Sequence, residues 1–295
     1  MTAAEKPPEP ARCWVCDSPR LARWRDATTV GPLTSADFRI TDAHYGRTAA
    51  IERCADCGFR QCAELADALR YYETLDDPGY EESAGERARQ MADLLALLRR
   101  FKPAGRLLDI GAGSGILLAE AQRLGYAAEG VEPSHWLAER AAAKGLTVHW
   151  GTLPHAGLRP PYDAALLIDV IEHVADPLGL LAQARDVLAP DGVGLVVTPD
   201  IDSFAARRLG ARWWHCRVAH IGYFNRSTLL RALDRAGLTP LHVMRPRWHF
   251  STAYLAQRLP VYVPFLRRWN PLARLPEVIV PLNFFDSLGV VFCKK

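Results

Sequence analysis

No apolar run in this 295-residue chain reaches the ~18 residues needed to cross a bilayer, because Pro260, Pro264, Pro271, Pro276 and Pro281 interrupt its most hydrophobic stretch. Residues 1–10 are polar and proline-rich. They carry neither the apolar core of a secretory signal nor the Arg-rich pattern of a transit peptide. They read as a disordered tail, and the protein is expected in the cytoplasm. A dense basic stripe is also missing: 36 Lys and Arg stand against 33 Asp and Glu, for a net charge of +3 spread along the chain. Nucleic acid is therefore not the favoured partner. No internal repeat is visible, which argues against a solenoid. A 49% hydrophobic fraction permits one large core plus a small appended unit.

Four of the seven cysteines form two pairs, Cys13-x-x-Cys16 and Cys54-x-x-Cys57. In a reducing compartment such pairs favour metal thiolates over disulfides. Together they can offer Zn²⁺ four thiolates, and Gly58 lets the second knuckle close. A closed Cys₄ site has no open coordination position, so the metal is expected to fold a module over residues 11–62. A redox dithiol is the alternative. Cys62, Cys216 and Cys293 stand alone and read as small buried hydrophobes.

Residues 63–104 read as a helical connector or lid. It carries Tyr71, Tyr72 and Tyr80, then an amphipathic helix with Met91, Leu94, Leu95, Leu98 and Phe101 at helical spacing. From Arg106 onward, strand-like and helix-like segments alternate. The pattern predicts a Rossmann-like α/β fold with a seven-stranded, mainly parallel sheet and an antiparallel last strand closing its edge. The run Ala164-Ala165-Leu166-Leu167-Ile168 fits a strand buried on both faces. Residues 105–295 form this domain, with an aromatic, basic and proline-rich insertion at 246–286.

The strongest chemical signal is Leu108-Asp109-Ile110-Gly111-Ala112-Gly113-Ser114-Gly115 at a strand-to-helix turn. A dinucleotide site would want glycine where Ile116 stands and would not want the Asp109 carboxylate beside a pyrophosphate. S-adenosylmethionine carries no phosphate and offers an ammonium group, so the loop favours that cofactor. Glu132 follows about 20 residues later, at the separation that brings an acid to ribose hydroxyls. The alternative is that Glu132 merely begins the next helix.

With Asp163, the run Ile168-Asp169-Val170-Ile171-Glu172-His173-Val174 and Leu188-Ala189-Pro190-Asp191-Gly192, the chain over roughly 85–295 resembles the class I SAM-dependent methyltransferases. The resemblance implies that Gly111 and Gly113 line the cofactor, Glu132 binds its ribose and Asp169 lies near its methionine end. Gly151-Thr152-Leu153 departs from the acidic residue many relatives use for the adenine amine, leaving that part to Thr152 or a backbone carbonyl. The cysteine module looks like the N-terminal zinc-binding segment of bacterial methyltransferases of sugar, lipid or secondary-metabolite pathways. A small-molecule acceptor is the expectation. An RNA methyltransferase gripping RNA with its zinc module, or a non-catalytic binding protein of this fold, is the competing reading.

Methyl transfer needs alignment, exclusion of water and, for a hydroxyl, a base. His173 is the candidate base, against a reading in which it only packs a short helix. His220, Trp213 and Trp214 are candidates for the acceptor pocket, against ordinary loop packing. In the insertion, Trp248, Phe250, Tyr254, Tyr262, Phe265 and Trp269 alternate with Arg247, Arg258, Arg267, Arg268 and Arg274. That mixture suits either peripheral membrane contact or a lid. The sequence leaves the oligomeric state open.

Overall fold

The computed structural model describes residues 11–42, 44–263, 266, 268 and 270–295; the tail 1–10 and Pro264, Phe265, Arg267 and Trp269 of the insertion lie outside the described residues. The chain begins with β1 (Leu21–Arg25), β2 (Ile51–Cys54) and β3 (Arg60–Gln61), followed by α1 (Leu69–Glu73), α2 (Pro78–Glu82) and α3 (Ala84–Leu98). Alternation then sets in with β4 (Arg106–Ile110), α4 (Ile116–Arg123), β5 (Ala127–Glu132), α5 (His135–Ala143), β6 (Val148–Trp150), β7 (Tyr162–Ile168), α6 (Pro177–Val187) and β8 (Leu188–Pro199). The remainder comprises α7 (Phe204–Leu209), β9 (Gly222–Tyr223), α8 (Arg226–Arg235), β10 (Leu238–Met244), β11 (Trp248–Ser251), α9 (Thr252–Tyr262), β12 (Ile279–Leu282) and β13 (Ser287–Lys294).

Seven strands form the main sheet in the order β10-β13-β8-β7-β4-β5-β6. Pairings among β8, β7, β4, β5 and β6 are parallel, whereas β13 runs antiparallel to both its neighbours. The last strand is thus antiparallel, as expected, but it lies inside the sheet; β10 takes the edge. Val290, Val291 and Phe292 are wholly buried, and an apolar run of that kind needs cover on both faces.

The continuous run in β7 divides between the two faces. Ala164 and Leu166 pack with Leu94, Leu95 and Leu98 of α3 and Leu117 and Leu118 of α4. Ala165 and Leu167 pack with Leu181 of α6 and Leu229 and Leu233 of α8. Each wholly buried leucine contributes about 1.5–3 kcal/mol. Helix starts follow the local chemistry. Asn225 Oδ1 accepts from Thr228 N at 2.9 Å in a capping box, and Ser134 Oγ accepts from Leu137 N at 3.1 Å.

The cysteine module is not a separate bead. Its strands join β9 in the order β1-β2-β3-β9, with Arg60 opposite Tyr223 and Gln61 opposite Gly222. Phe59 is fully buried against Phe224, the ring centroids 4.8 Å apart, and Cys13, Val15 and Cys54 belong to the same cluster as Leu108 and Leu167. Arg235 of α8 donates to Val15 O at 2.8 Å. Phe59→Ala should cost about 3–5 kcal/mol by leaving a cavity at this seam. Urea unfolding followed by far-UV circular dichroism and tryptophan fluorescence should show one coincident transition at lower denaturant. Two separated transitions in the unsubstituted protein would mean that the module folds alone.

Candidate functional site

The glycine turn between β4 and α4 lies at the carboxyl edge of the parallel strands, where ligands of open α/β sheets bind. Gly113 has φ +54°, and a Cβ there would stand 2.7 Å from the Tyr80 hydroxyl. Gly111 has φ +79°, and its Cβ would meet Val170 Cγ2 at 2.6 Å. Glycine at both positions serves left-handed backbone and close approach together. Tyr80, from α2, therefore rests directly over the turn, with the Arg87 guanidinium 4.2 Å from its ring centroid. Burial pushes the Tyr80 phenol up to about 12.

Two acids from adjacent strand ends flank this turn. Glu132 Oε2 accepts from Gly113 N and Oε1 from Ser134 N, both at 2.8 Å. Burial nevertheless raises its carboxyl to about 7, against the pull of those two N–H donors. Asp109 is likewise raised to about 7, by burial first and by the Glu132 charge second. Thr152 is exposed beyond β6, next to Gly151, whose N–H donates to Glu132 O at 2.9 Å. Asp163 is elsewhere: at the start of β7 it accepts from Arg106 N at 2.8 Å and fastens the opposite edge of the sheet.

Beyond β7 the chain turns through Asp169 at φ +53°. Asp169 Oδ1 is buried without a hydrogen-bond partner, and burial raises the group to about 6 while His215 and Arg87 pull it down. Glu172 is buried; its Oε2 accepts from Thr198 Oγ1 at 2.9 Å and its Oε1 has no hydrogen bond. Burial and Asp169 raise this carboxyl well above the usual range. His173 Nδ1 lies 2.8 Å from Ala219 O and 2.6 Å from the Tyr72 hydroxyl. With the proton on Nδ1 donated to that carbonyl, Nε2 is the basic nitrogen, 3.9 Å from Glu172 Oε1. Burial lowers His173 to about 4, so it is neutral at pH 7.

His220 joins His173 edge-on at 4.8 Å and stacks on His215 at 5.4 Å, and burial keeps it neutral. Ligand atoms of Glu172, His173 and His220 lie within 4.8 Å of one another, a spacing that can also hold a cation. Of the tryptophan pair, Trp213 is core: fully buried, with Nε1 donating to Asp286 Oδ2 at 3.3 Å. Trp214 is half-buried and packs on Tyr262 and Phe284 of the insertion. The insertion reaches across this loop, since Arg258 donates to Thr41 O and the Tyr262 hydroxyl to Arg212 O. Its aromatic tip, Phe284 and Phe285, is exposed. Glu172, His215, Asp286 and Arg87 were not singled out from sequence. Glu172 lay within a recognised run, whereas the other three come from distant segments with no local signal.

In the cysteine module the four Sγ atoms of Cys13, Cys16, Cys54 and Cys57 gather within 4.8 Å of one another, with Cys13–Cys57 and Cys16–Cys54 at 3.5 Å. Zinc at a Zn–S distance of about 2.3 Å sets tetrahedral edges near ~3.8 Å, so the donor set and its spacing fit that ion. The first knuckle closes through Asp17 at φ +62° and the second through Gly58 at φ +79°.

Residues 83–243 match the family model described as a methyltransferase domain. The chain belongs to that family, the SAM-dependent methyltransferases. Its curated relatives include the ubiquinone biosynthesis O-methyltransferase of Cereibacter sphaeroides, 34% identical over 152 residues, covering 46% of this chain and 61% of that protein. The enzyme of the same name from Dinoroseobacter shibae is 34% identical over 154 residues, covering 46% and 60%. The match thus spans about six tenths of those two relatives. Among solved structures, a chain from a Haloferax volcanii complex of a methyltransferase activator with a methyltransferase aligns at TM-score 0.51 and 16% identity, covering 72% of this chain and 94% of that one. At that identity the likeness concerns the fold.

Because the Glu132 charge helps hold Asp109 up, Glu132→Gln should lower the Asp109 pKa below about 7. Carboxyl ¹³C NMR titration of both proteins reads this directly, and an unmoved Asp109 would mean that burial alone raises it.

Proposed function

We propose that this chain methylates a hydroxyl group of a small-molecule acceptor, using S-adenosylmethionine held at the β4 and β5 strand ends. The observation that carries the reading is the cradle of Asp109, Gly111, Gly113 and Glu132, beside a buried, unpartnered Asp169 oxygen. A ligand with ribose hydroxyls, an ammonium and a sulfonium complements that excess of acid. Glu132 accepts the ribose hydroxyls, Asp109 and Asp169 attract the cationic methionine end, and Thr152 with its neighbouring backbone meets the adenine. When bound, S-adenosylmethionine supplies an electrophilic methyl group on a positively charged sulfur.

His173 is the base of this reading. Its Nε2 takes the proton of the acceptor hydroxyl as the oxygen attacks, and the Ala219 carbonyl fixes the ring. His220 lines the acceptor side. Tyr80 and α2 close the cofactor entrance, and the 246–286 insertion walls the acceptor pocket and excludes water. The names of the curated relatives support an oxygen acceptor.

Cys13, Cys16, Cys54 and Cys57 hold a structural zinc in the same proposal. Metal analysis should return one zinc per chain. Cys54→Ser should lower the melting temperature by roughly 10 °C or more, since the metal stabilises folding by several kcal/mol and the module shares its core with the large sheet.

Calorimetric titration with S-adenosylhomocysteine tests the cofactor site. The Asp109 and Glu132 carboxyls lose their protons near pH 7, and only the ionised forms are full acceptors. Affinity should therefore rise from pH 6 to pH 8 and then level off, and Glu132→Ala should weaken it at least tenfold. A well-folded, zinc-loaded protein that binds no S-adenosylhomocysteine would refute the reading.

A further inference from the structure

Between the cysteine module and the large domain lies a cleft of about 280 Å³, just under the range of drug-sized ligand pockets. Trp24 and Arg25 of β1 and Arg60 of β3 form one wall; Ile201, Asp202, Ala206 and Arg207 around the start of α7 form the other. Neither half of the chain makes this cleft alone.

Its charges do not balance. Three guanidinium groups, those of Arg25, Arg60 and Arg207, face the single carboxylate of Asp202, an excess of two positive charges. Asp202 is already committed. Its Oδ1 accepts from Arg60 Nη1 and Nη2 at 3.3 Å each, and its Oδ2 from Asn225 Nδ2 at 2.6 Å. Among the described residues the Arg25 side chain donates to Cys216 Sγ at 3.3 Å, a weak acceptor, and its guanidinium lies 4.5 Å from the Trp24 ring centroid. Arg207 is exposed and pairs with no acid among the described residues. Arg60 is only 9% exposed, and its Nε is buried without an acceptor. Burial lowers the pKa of Arg60, and Arg53 and Arg25 lower it further, against the pull of Asp202.

Like charges gathered in a half-enclosed recess repel one another unless an anion enters. We propose that this cleft is an anion subsite for the phosphate or pyrophosphate group of the acceptor. A dianion offsets two excess positive charges where a monocarboxylate offsets one, and planar guanidinium forks match phosphoryl oxygens. The subsite and the imidazole cluster are joined in sequence by one short, largely buried loop. Cys216, which receives the Arg25 hydrogen bond, directly follows His215, and the loop continues to His220. This assignment of the ligand as acceptor rests on the methyltransferase reading above.

The test uses the zinc-loaded 295-residue chain with inorganic pyrophosphate as probe, followed by calorimetry and by quenching of tryptophan fluorescence, with S-adenosylhomocysteine titrated in parallel. Pyrophosphate should bind. Arg207→Ala and Arg25→Ala should each weaken it roughly tenfold or more while S-adenosylhomocysteine binding stays unchanged, and Arg207→Lys should recover part of the loss. Arg207 is exposed, so its substitution tests the subsite without disturbing the core. No pyrophosphate binding by protein that still binds S-adenosylhomocysteine would overturn the subsite, as would binding indifferent to both alanine substitutions. A single-stranded RNA oligomer that binds far more tightly than pyrophosphate, through the same arginines, would overturn the small-molecule assignment. Failure of S-adenosylhomocysteine to bind, with arginine-dependent pyrophosphate binding intact, would remove the methyltransferase reading and leave an anion site.

Discussion

Two backbone hydrogen bonds through Ile221 join the small sheet to the edge of the large one. Ile221 N donates to Glu172 O at 2.9 Å, and Ile221 O accepts from Cys62 N at 2.8 Å. One residue therefore ties the end of the cysteine module to the turn that carries Glu172 and His173. Beside it β3 pairs with β9, and Phe59 fills the space under Phe224. The geometry of the imidazole cluster depends on this seam, because His173 is oriented by Ala219 O, two residues before Ile221. Folding of the knuckles and positioning of the site are one problem in this chain.

The second constraint is electrostatic. Asp109, Glu132, Asp169 and Glu172 are gathered at one edge of the sheet, and burial raises all four. Removing carboxylates from water is costly unless hydrogen bonds or opposite charge replace it. Glu132 has two N–H donors, Glu172 has one hydroxyl, and Asp169 Oδ1 has none. Such a set is poised for a ligand that brings donors and positive charge. In the cleft beside the cysteine module the excess is of opposite sign, carried by Arg25, Arg60 and Arg207. His173 and His220, whose imidazoles burial holds neutral, belong to neither charged set.

The segments around α2 and α9 act through packing. Tyr80 covers Gly113 because glycine leaves room for its hydroxyl, and Tyr72 meets His173. Tyr262 of α9 and Phe284, just after β12, pack on Trp214 of the 213–215 loop. The aromatic and basic mixture of the insertion is thereby split. Trp248, Phe250 and Tyr254 are half-buried, while Phe284 and Phe285 stay outside.

What the sequence determined by itself was everything written in short-range pattern. The alternation of apolar runs with capped helices defined the parallel sheet, because burial on both faces and the 3.6-residue period are local signatures. The glycine turn with Asp109, the acid at Glu132 and the two Cys-x-x-Cys knuckles were legible because each motif's spacing is set by one turn or one βαβ unit. Tertiary structure alone decided what depends on segments far apart in the chain. It put β13 inside the sheet, paired β3 with a strand some 160 residues later, and set His215 beside Asp286 and Tyr80 over Gly113. It also assembled the arginine cleft from residues 24–60 and 201–210. Long-range pairing is selected by the total burial of the folded chain, and no local window of sequence contains that sum.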